Sequence, residues 1–366
     1  AFSNLTTTLK ARHIAVVRDF VVFGNTFDAT DGNEPERVRW SAINDETDYT
    51  VSATTLSDFR DLNKGGHIQK IEGGEYGVIV SEHSTWRMTF VGSPTVFQID
   101  EVLPGVGAIA PGGVVRLGDV VYIMSESGFV ALENGITPIS IGAGKVDKYF
   151  LADLDVNNVH RISSVADPEA GRIMWSYPGA GNTNGLPNKI ICYDRTFNKW
   201  SIIEQDAELI WRSSGIGRTL DNLDTISSSI DDLAISLDSS QWKGGYPELA
   251  AFDSSFKHGF FSGAPMTATL ETREAELNEG ARTHLNAFRP MVDGATDVTG
   301  KVGSRNRQSD SVSYTSSLNQ SASGRFTTRK NARFHRFQLE ITDDDWTDAI
   351  GVEVDRKDAR RADGRG

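Results

Sequence analysis

The residues best spaced for metal chemistry lie in the segment ADLDVNN. Asp153, Asp155 and Asn157 stand at the alternate positions typical of a calcium-binding loop. However, Asn158 replaces the turn glycine of such a loop, and Ser164 stands where a bidentate glutamate is required. The pattern therefore favours an ordinary structural loop over a calcium site.

A second acidic group, with Asp28, Asp31, Glu34 and Glu36, could collect a cation, although a solvated hairpin tip explains it equally well. The seven histidines are scattered, without the close pairs typical of zinc sites. The chain also lacks a phosphate-binding glycine loop, a zinc helix motif and a nucleophile elbow. Paired carboxylates for glycoside hydrolysis need a fixed separation that a sequence does not show. We therefore predict no enzymatic activity, no metal and no cofactor.

The elements that carry these residues follow one repeated phrase. An acidic or glycine turn, three or four apolar residues and then Ser or Gly recur about every 50 residues. The four copies are DFVVFGN (19–25), GEYGVIVSE (74–82), GDVVYIMSE (118–126) and AGRIMWSYPG (170–179). Such recurrence is typical of radially repeated sheets, which bury both faces only when neighbours stack on them. The sequence predicts an all-β chain: a β-propeller of about six blades with an additional C-terminal β-rich platform or closing region.

The composition agrees with short strands joined by many turns. The 366 residues include 35 glycines and 11 prolines, and helical patterns are confined to residues 145–160 and 220–237. No apolar stretch approaches the length of a membrane span. The single cysteine, Cys192, is predicted to be a buried thiol in a strand, and Tyr193 and Trp200 are predicted to pack in the core of one hairpin.

Changes in amino-acid composition and hydrophobic pattern along the chain predict its domain organisation. Residues 1–263 are predicted to form the propeller blades, with an acidic insertion near 204–245 and a weak fifth copy of the phrase after it. Residues 264–356 form a C-terminal β-rich region that completes or flanks the propeller, and residues 357–366 form a mobile tail. The chain begins at Ala1 without an initiator methionine, which suggests a trimmed or processed product.

The charge of the chain disfavours one class of partner. A formal net charge of −13 and an isoelectric point near 5.0 argue against a protein that grips nucleic acid by its phosphates. A channel through which duplex DNA slides would benefit from acidic walls, because they repel the phosphates. Solubility alone explains the same charge.

Three stretches resemble the tail hub or nozzle proteins of short-tailed bacteriophages. The first is RHIAVVRDFVVFGN followed by RVRWSAINDETDYT, and the second is STWRMTFVGSPTVFQIDEV leading into GDVVYIMSESGFVALENG. The third, RKNARFHRFQLEITDDDWTDAIGVEVD, is similar to the closing strands of those proteins. The resemblance covers most of residues 11–200 and 325–356, and residues 204–324 show none.

The resemblance implies a structural role in the virion. Six copies would form a ring below the portal and its adaptor proteins, with tail needle or fibre proteins below or beside it. Its central channel would retain packaged DNA and conduct it during ejection, so double-stranded DNA would pass without specific binding. Assembly would take place in the host cytoplasm, and no membrane span is implied.

Two sets of charged residues are candidates for contacts in such a ring. Four aspartates are predicted on a loop that faces the channel or a neighbouring subunit: Asp221, Asp224, Asp231 and Asp232. Four arginines are candidates for ion pairs with an adjacent acidic subunit, although their charged heads would also simply reach water. They are Arg325, Arg329, Arg333 and Arg336.

The alternative function is a carbohydrate-binding or carbohydrate-cleaving propeller, such as a phage receptor-binding protein. It would place aromatic and acidic residues together at one mouth of the propeller. The aromatic candidates are Trp86, Trp175, Tyr177 and Trp211, which buried blade residues would explain equally well.

Overall fold

The computed structural model describes residues 9–214, 229, 247–261, 266–342, 346, 348–354 and 359–361. The chain divides into two compact units, one within Ala1–Phe261 and the other within Ser262–Gly366. The described elements are mostly short strands in antiparallel sheets, which confirms the all-β prediction. Among the described residues, no helix is long and apolar enough to cross a membrane.

Five antiparallel sheets form the described part of the first unit, and the first four have four strands each. Sheet 1 contains β1 (Lys10–Val17), β2 (Phe20–Asp28), β3 (Gly32–Trp40) and β4 (Asp58–Asp61). Sheet 2 contains β5 (Ile68–Glu72), β6 (Gly77–Ser81), β7 (Ser84–Gly92) and β8 (Val96–Pro104). Sheet 3 contains β9 (Val114–Leu117), β10 (Val120–Ser125), β11 (Gly128–Glu133) and β12 (Thr137–Ser140). Sheet 4 contains β13 (Ser163–Asp167), β14 (Arg172–Tyr177), β15 (Lys189–Asp194) and β16 (Lys199–Glu204). Sheet 5 contains β17 (Leu209–Ser214), β18 (Pro247–Phe252) and β19 (His258–Phe260).

The described helical segments are short. The helix α1 (Asp147–Asp153) and a 3-10 helix (Val156–Arg161) confirm the helical pattern predicted for residues 145–160, and a further 3-10 turn spans Pro111–Gly113. The second helical pattern, residues 220–237, lies almost wholly outside the described residues. So does most of the predicted acidic insertion.

Each copy of the repeated phrase forms the second strand of a sheet. The four copies correspond to β2, β6, β10 and β14, and the weak fifth copy contains β18. In β10, all six residues are buried, because both faces of the strand are covered. Side chains alternate across a strand, so burial on both faces requires an unbroken apolar run. Double-sided burial is the physical reason for the repeated phrase.

Hydrophobic clusters lie between successive sheets. In sheet 3, Val121 and Ile123 belong to a cluster shared with sheet 2, whereas Tyr122 and Met124 belong to one shared with sheet 4. Two further clusters join sheet 1 to sheet 2 and sheet 4 to sheet 5. The sheets therefore stack face to face in chain order.

Glycine permits one of these close approaches. Gly24 of β2 faces sheet 2, where a Cβ atom would lie 2.6 Å from Cδ1 of Ile71. The first strands of successive sheets are also neighbours: β1 contacts β5, β5 contacts β9, β9 contacts β13 and β13 contacts β17. The start of each sheet therefore lies beside the start of the next.

The two ends of this stack have apolar faces that no described sheet covers. On β1, Ile14 is 67% exposed and Val16 is 59% exposed, and their side chains point away from sheet 2. On sheet 5, Trp211 and Phe252 lie on the face opposite Ile210, with their ring centroids 4.4 Å apart. The stack thus has one free face at each end.

The second unit contains two further sheets. One contains β20 (Ala268–Glu271), β22 (Val298–Arg305), β23 (Ser313–Tyr314), β24 (Leu318–Asn319) and β26 (Phe334–Ile341). The other contains β21 (Thr283–Asp293), β25 (Phe326–Ala332), β27 (Asp348–Glu353) and β28 (Ala359–Arg361). Strand β28 pairs with β21, so these three residues of the predicted mobile tail are part of a sheet. Residues 362–366 lie outside the described residues.

Alternation along β26 builds the core of the second unit. Phe337, Leu339 and Ile341 are buried, and they pack with Phe288 and Phe326 from the other sheet. The intervening side chains on β26 are half-buried. This period of two is the pattern of a strand with one face on a core.

The predicted core residues of the fourth sheet are confirmed. Cys192 is a buried free cysteine on β15, beside the buried Tyr193. Trp200 packs partly buried against the cluster between sheets 3 and 4, and its Nε1 donates a hydrogen bond of 3.1 Å to the carbonyl of Ile141.

Candidate functional site

The segment with calcium-like spacing has internal partners for both of its aspartates. Asp153 accepts hydrogen bonds from Lys189 Nζ at 2.7 Å and from the Tyr177 hydroxyl at 3.0 Å. Asp155 accepts from the backbone N–H of Asn157 and caps the 3-10 helix. Burial, followed by the charge of Asp153, raises the pKa of Tyr177. These carboxylates stabilise the fold locally.

Two members of the acidic group, Asp28 and Asp31, lie beside one buried arginine. Arg37 on β3 pairs with Asp31, and it donates to Asp61 through Nε at 2.6 Å and through Nη2 at 3.1 Å. Asp28 lies 4.0 Å from the same guanidinium, and hydrogen bonds from the Asp31 and Thr30 N–H groups help lower the pKa of its carboxyl. The positive charge held by these carboxylates is therefore the guanidinium of Arg37.

The described residues contain no group of three or more His, Cys, Asp or Glu side chains placed to hold a metal ion. The four aspartates predicted to face a channel or a neighbouring subunit lie outside the described residues. Those four are Asp221, Asp224, Asp231 and Asp232.

The four predicted arginines all lie in the second unit. Arg325 precedes β25 and is half-buried, and Arg329 is exposed on β25. Arg333 is in the turn between β25 and β26, and Arg336 is on β26. The structure brings Arg333 and Arg336 to one acidic segment of the same chain.

That segment, residues 271–280, is called the strap here. It continues from β20 along β26: the Ala275 N–H donates to the His335 carbonyl and the His335 N–H donates to the Ala275 carbonyl, each at 2.9 Å. The Thr272 N–H donates to the Phe337 carbonyl at 2.8 Å, and the Phe337 N–H donates to the Thr272 hydroxyl at 2.9 Å. The strap is therefore an irregular extension of an edge strand.

Three carboxylates of the strap pair with arginines of the sheet. Arg336 Nη1 lies 2.8 Å from Glu271 Oε1, and the Tyr314 hydroxyl donates to the same oxygen at 2.7 Å. Arg305 donates to both oxygens of Glu274, from Nε at 2.7 Å and from Nη2 at 2.5 Å.

The third carboxylate is Glu276. Arg333 Nε donates to it at 2.9 Å, and the Gly280 N–H donates to its second oxygen at 2.9 Å. The hydrogen bond from Gly280, together with Arg333, lowers the pKa of Glu276. An open groove of about 610 Å³ runs beside these pairs, lined in part by Phe334 and Gln308. The carboxylates are held as ion-pair partners of the arginines.

His335 is a buried polar group beneath this surface. Its side chain is 0% exposed, on the same face of β26 as Phe337 and Leu339. Neither ring nitrogen has a hydrogen-bond partner among the residues that the structure describes. Burial lowers the pKa of His335 to about 4. The imidazole is therefore neutral in the folded chain at neutral pH.

We expect His335 to make the second unit sensitive to acid. Between pH 6.5 and about 4 the unfolded chain binds a proton that the folded chain does not. The free energy of unfolding therefore falls with decreasing pH over that window, by at most about 1.4 kcal/mol per pH unit. Hydrogen exchange of β22 and β26 as a function of pH measures this change.

A matched pair of variants isolates the histidine. His335→Leu should remove the pH dependence between 6.5 and 4, whereas His284→Leu, at a half-buried position on β21, should keep it. An equal slope in both variants would contradict this role of His335.

The aromatic residues of the alternative hypothesis are mostly core residues. Trp175 and Tyr177 are 0% exposed, and Trp86 is 8% exposed within the cluster between sheets 1 and 2. Trp211 is half-buried on the free face of sheet 5. These positions do not form one aromatic site.

Sequence reasoning missed several members of the strap network. The sequence analysis did not select Glu271, Glu274 or Glu276, and the roles of Arg305 and Tyr314 gave no local signal. The signal that could have identified the network is a run of glutamates followed, later in the chain, by a hairpin that carries arginines.

Comparisons with known proteins do not place the chain in a family. No family model matches, and no curated protein matches. Among solved structures, the tricorn protease matches at 11% identity and a TM-score of 0.32, over 57% of this chain and 18% of that protein. An exo-β-1,3-galactanase from Phanerochaete chrysosporium matches at 9% identity and a TM-score of 0.28, over 93% of this chain and 94% of that one. The AfRom2 CNH domain matches at 9% identity and a TM-score of 0.30, over 92% of this chain and 96% of that domain's chain. At these scores the similarities carry no argument about the chain.

Proposed function

We propose that this chain is a structural subunit of a bacteriophage tail, of the nozzle or hub type. Copies would form a ring, six in the sequence-based expectation, below the portal and adaptor proteins and beside needle or fibre proteins. The channel of the ring would retain packaged DNA and conduct it during ejection. The chain would act through shape and assembly in the virion.

The observation that carries this proposal is the agreement between the resembling segments and the strand pairs. RHIAVVRDFVVFGN spans β1 and β2, and GDVVYIMSESGFVALENG spans β10 and β11. RKNARFHRFQLEI spans β25 and β26. The resemblance therefore follows the units from which the fold is built.

We further propose that the five sheets of the first unit are blades of a propeller. Successive sheets stack through both faces, and their first strands are neighbours, as a common axis requires. The described residues of this unit supply five sheets, and each end of the stack keeps a free apolar face. One further sheet between those faces would bury both, which supports the expected total of about six.

The charge supports a passive channel. A net charge of −13 disfavours retention of duplex DNA on the protein, because it repels the phosphates. Two carboxylates considered for a cation site, Asp153 and Asp31, are instead hydrogen-bonded to Lys189 and Arg37 within the fold.

Electron microscopy of the purified full chain tests the proposal. We expect class averages, at high protein concentration and after mild cross-linking, to show rings with an opening wide enough for duplex DNA. A fluorescent duplex should not be retained by the protein at low salt. Monomers at every concentration, or tight binding of the duplex, would contradict the proposal.

One observation favours the second candidate, a carbohydrate-binding propeller. Trp211 forms a partly exposed aromatic group with Phe252 and the exposed His258, whose ring lies 5.2 Å from that of Trp211. A glycan array probed with the full chain separates the two functions. Binding that is lost in Trp211→Ala would favour the carbohydrate candidate.

A further inference from the structure

Ion pairs between glutamates of the strap and arginines of the neighbouring sheet hold the strap in place. Its three paired carboxylates, Glu271, Glu274 and Glu276, are all on residues 271–280, and the three guanidinium groups are all on the sheet or its turn. Protonation of the carboxylates therefore weakens all three attachments of this one segment at once.

The strap has few other attachments. Beyond Glu271, the last residue of β20, its described backbone hydrogen bonds to β26 involve Thr272 and Ala275, and the side chain of Ala275 is exposed. Asn278 Nδ2 adds hydrogen bonds to the Thr283 hydroxyl at 3.0 Å and to the Ala359 carbonyl at 3.4 Å. Leu277 is the residue of the strap that packs, partly buried, against the hydrophobic core. A segment with little apolar burial and exposed hydrogen bonds opens more readily than the core beneath it.

Other titratable or charged groups lie beside the pairs, and they do not all act in the same direction, because a charged Asp310 attracts Arg305 as Glu274 does. The Tyr314 hydroxyl donates to Glu271, and Asp310 lies near Arg305. His335, at the strand position that pairs with Ala275, becomes charged in acid. Arg273 carries a positive charge throughout.

We propose that residues 271–280 form an acid-released strap, which detaches from β26 when its paired carboxylates are protonated, while the core of the second unit stays folded. Release uncovers Arg305, Arg333 and Arg336 together with the edge of β26. The two predicted docking arginines, Arg333 and Arg336, are therefore occupied within the chain until the strap opens. This inference concerns one chain and does not depend on the proposed ring.

The direction of the pH effect follows from the pairs. The hydrogen bonds to Glu276 lower the pKa of its carboxyl in the attached strap. They stabilise attachment fully at a pH above the carboxyl's ordinary pKa, and this stabilisation is lost as the pH falls through the lowered pKa. His335 stays in the core when the strap detaches, so its protonation does not drive this release. Loss of the carboxylate charge weakens attachment in acid.

Hydrogen exchange of the full chain, corrected for intrinsic rates, tests the proposal. Between pH 7 and 3, protection of the Thr272 and Ala275 amides should fall by at least about tenfold, while the buried β22 amides stay more protected than the strap amides at every pH. Protection that does not change, or that is lost together with the core, would overturn the proposal.

Two variants provide the matched comparison at neutral pH. The triple variant Glu271→Gln, Glu274→Gln and Glu276→Gln should lose strap protection at pH 7 by at least about tenfold, with the core of the second unit unchanged. Glu279→Gln removes an exposed glutamate of the same strap and should leave its protection as in the parent chain. Equal strap protection in the triple variant and in Glu279→Gln would overturn the proposal. If the triple variant does not fold, the pH series on the parent chain still tests the proposal.

Discussion

Replacing Trp175 with alanine is expected to lower the free energy of unfolding of the first unit by about 4 kcal/mol. The side chain is 0% exposed between sheets 3 and 4, with its ring centroid 5.0 Å from that of Phe129. Its Nε1 donates to the Gly113 carbonyl at 3.1 Å, so the variant also leaves that carbonyl without its donor. Hydrogen exchange of β10 and β14 measures the change.

Two controls make this result specific. Trp175→Phe keeps most of the packing and should cost about half as much, through the lost hydrogen bond and the smaller ring. Phe197→Ala alters an aromatic residue that is 72% exposed and should change stability by less than about 0.5 kcal/mol. If Trp175→Ala instead kept full stability and abolished glycan binding, Trp175 would belong to a binding site.

Replacing Arg37 with methionine is expected to cost about 3 kcal/mol of unfolding free energy. The side chain of Arg37 is 7% exposed, and its removal leaves Asp31 and Asp61 without their shared cation, whereas Asp28 keeps Arg39 at 3.5 Å. The side chains of Asp31 and Asp61 are partly exposed to water. The expected loss of unfolding free energy is therefore at the lower end of the range for breaking a buried ion pair. Chemical denaturation followed by circular dichroism measures it.

Charge repulsion predicts a partial recovery. Adding Asp61→Asn to Arg37→Met should restore part of the lost stability, because one of the facing charges is removed. Arg172→Met changes an arginine whose side chain is 51% exposed and should cost less than about 1 kcal/mol. Equal losses of unfolding free energy in Arg37→Met and Arg172→Met would show that Arg37 does not stabilise the fold through the carboxylates around it.

The sheets of the first unit were predictable where both faces of a strand are buried. Continuous apolar runs such as VVYIM in β10 identify such strands without knowledge of their neighbours. The fifth sheet was harder to recognise, because Ile210 packs on sheet 4 whereas Trp211 and Phe252 lie on a free face. A face without a partner leaves no double-sided pattern in the sequence.

The charged surfaces were predictable only by residue type. Arg333 and Arg336 were selected from their strand pattern, yet their partners, Glu276 and Glu271, lie more than fifty residues earlier. Arg37 and Asp61 are likewise joined only by the pairing of β3 and β4. Long-range ion pairs depend on strand register, which local periodicity does not determine.

The most direct test of the account is an experimental structure of the full chain by cryo-electron microscopy. We predict that β1, β5, β9, β13 and β17 lie side by side in that order, with hydrophobic cores between successive sheets, in copies arranged around an open channel. A map with isolated chains, or with these sheets packed as a two-layer sandwich around a bound substrate, would contradict it.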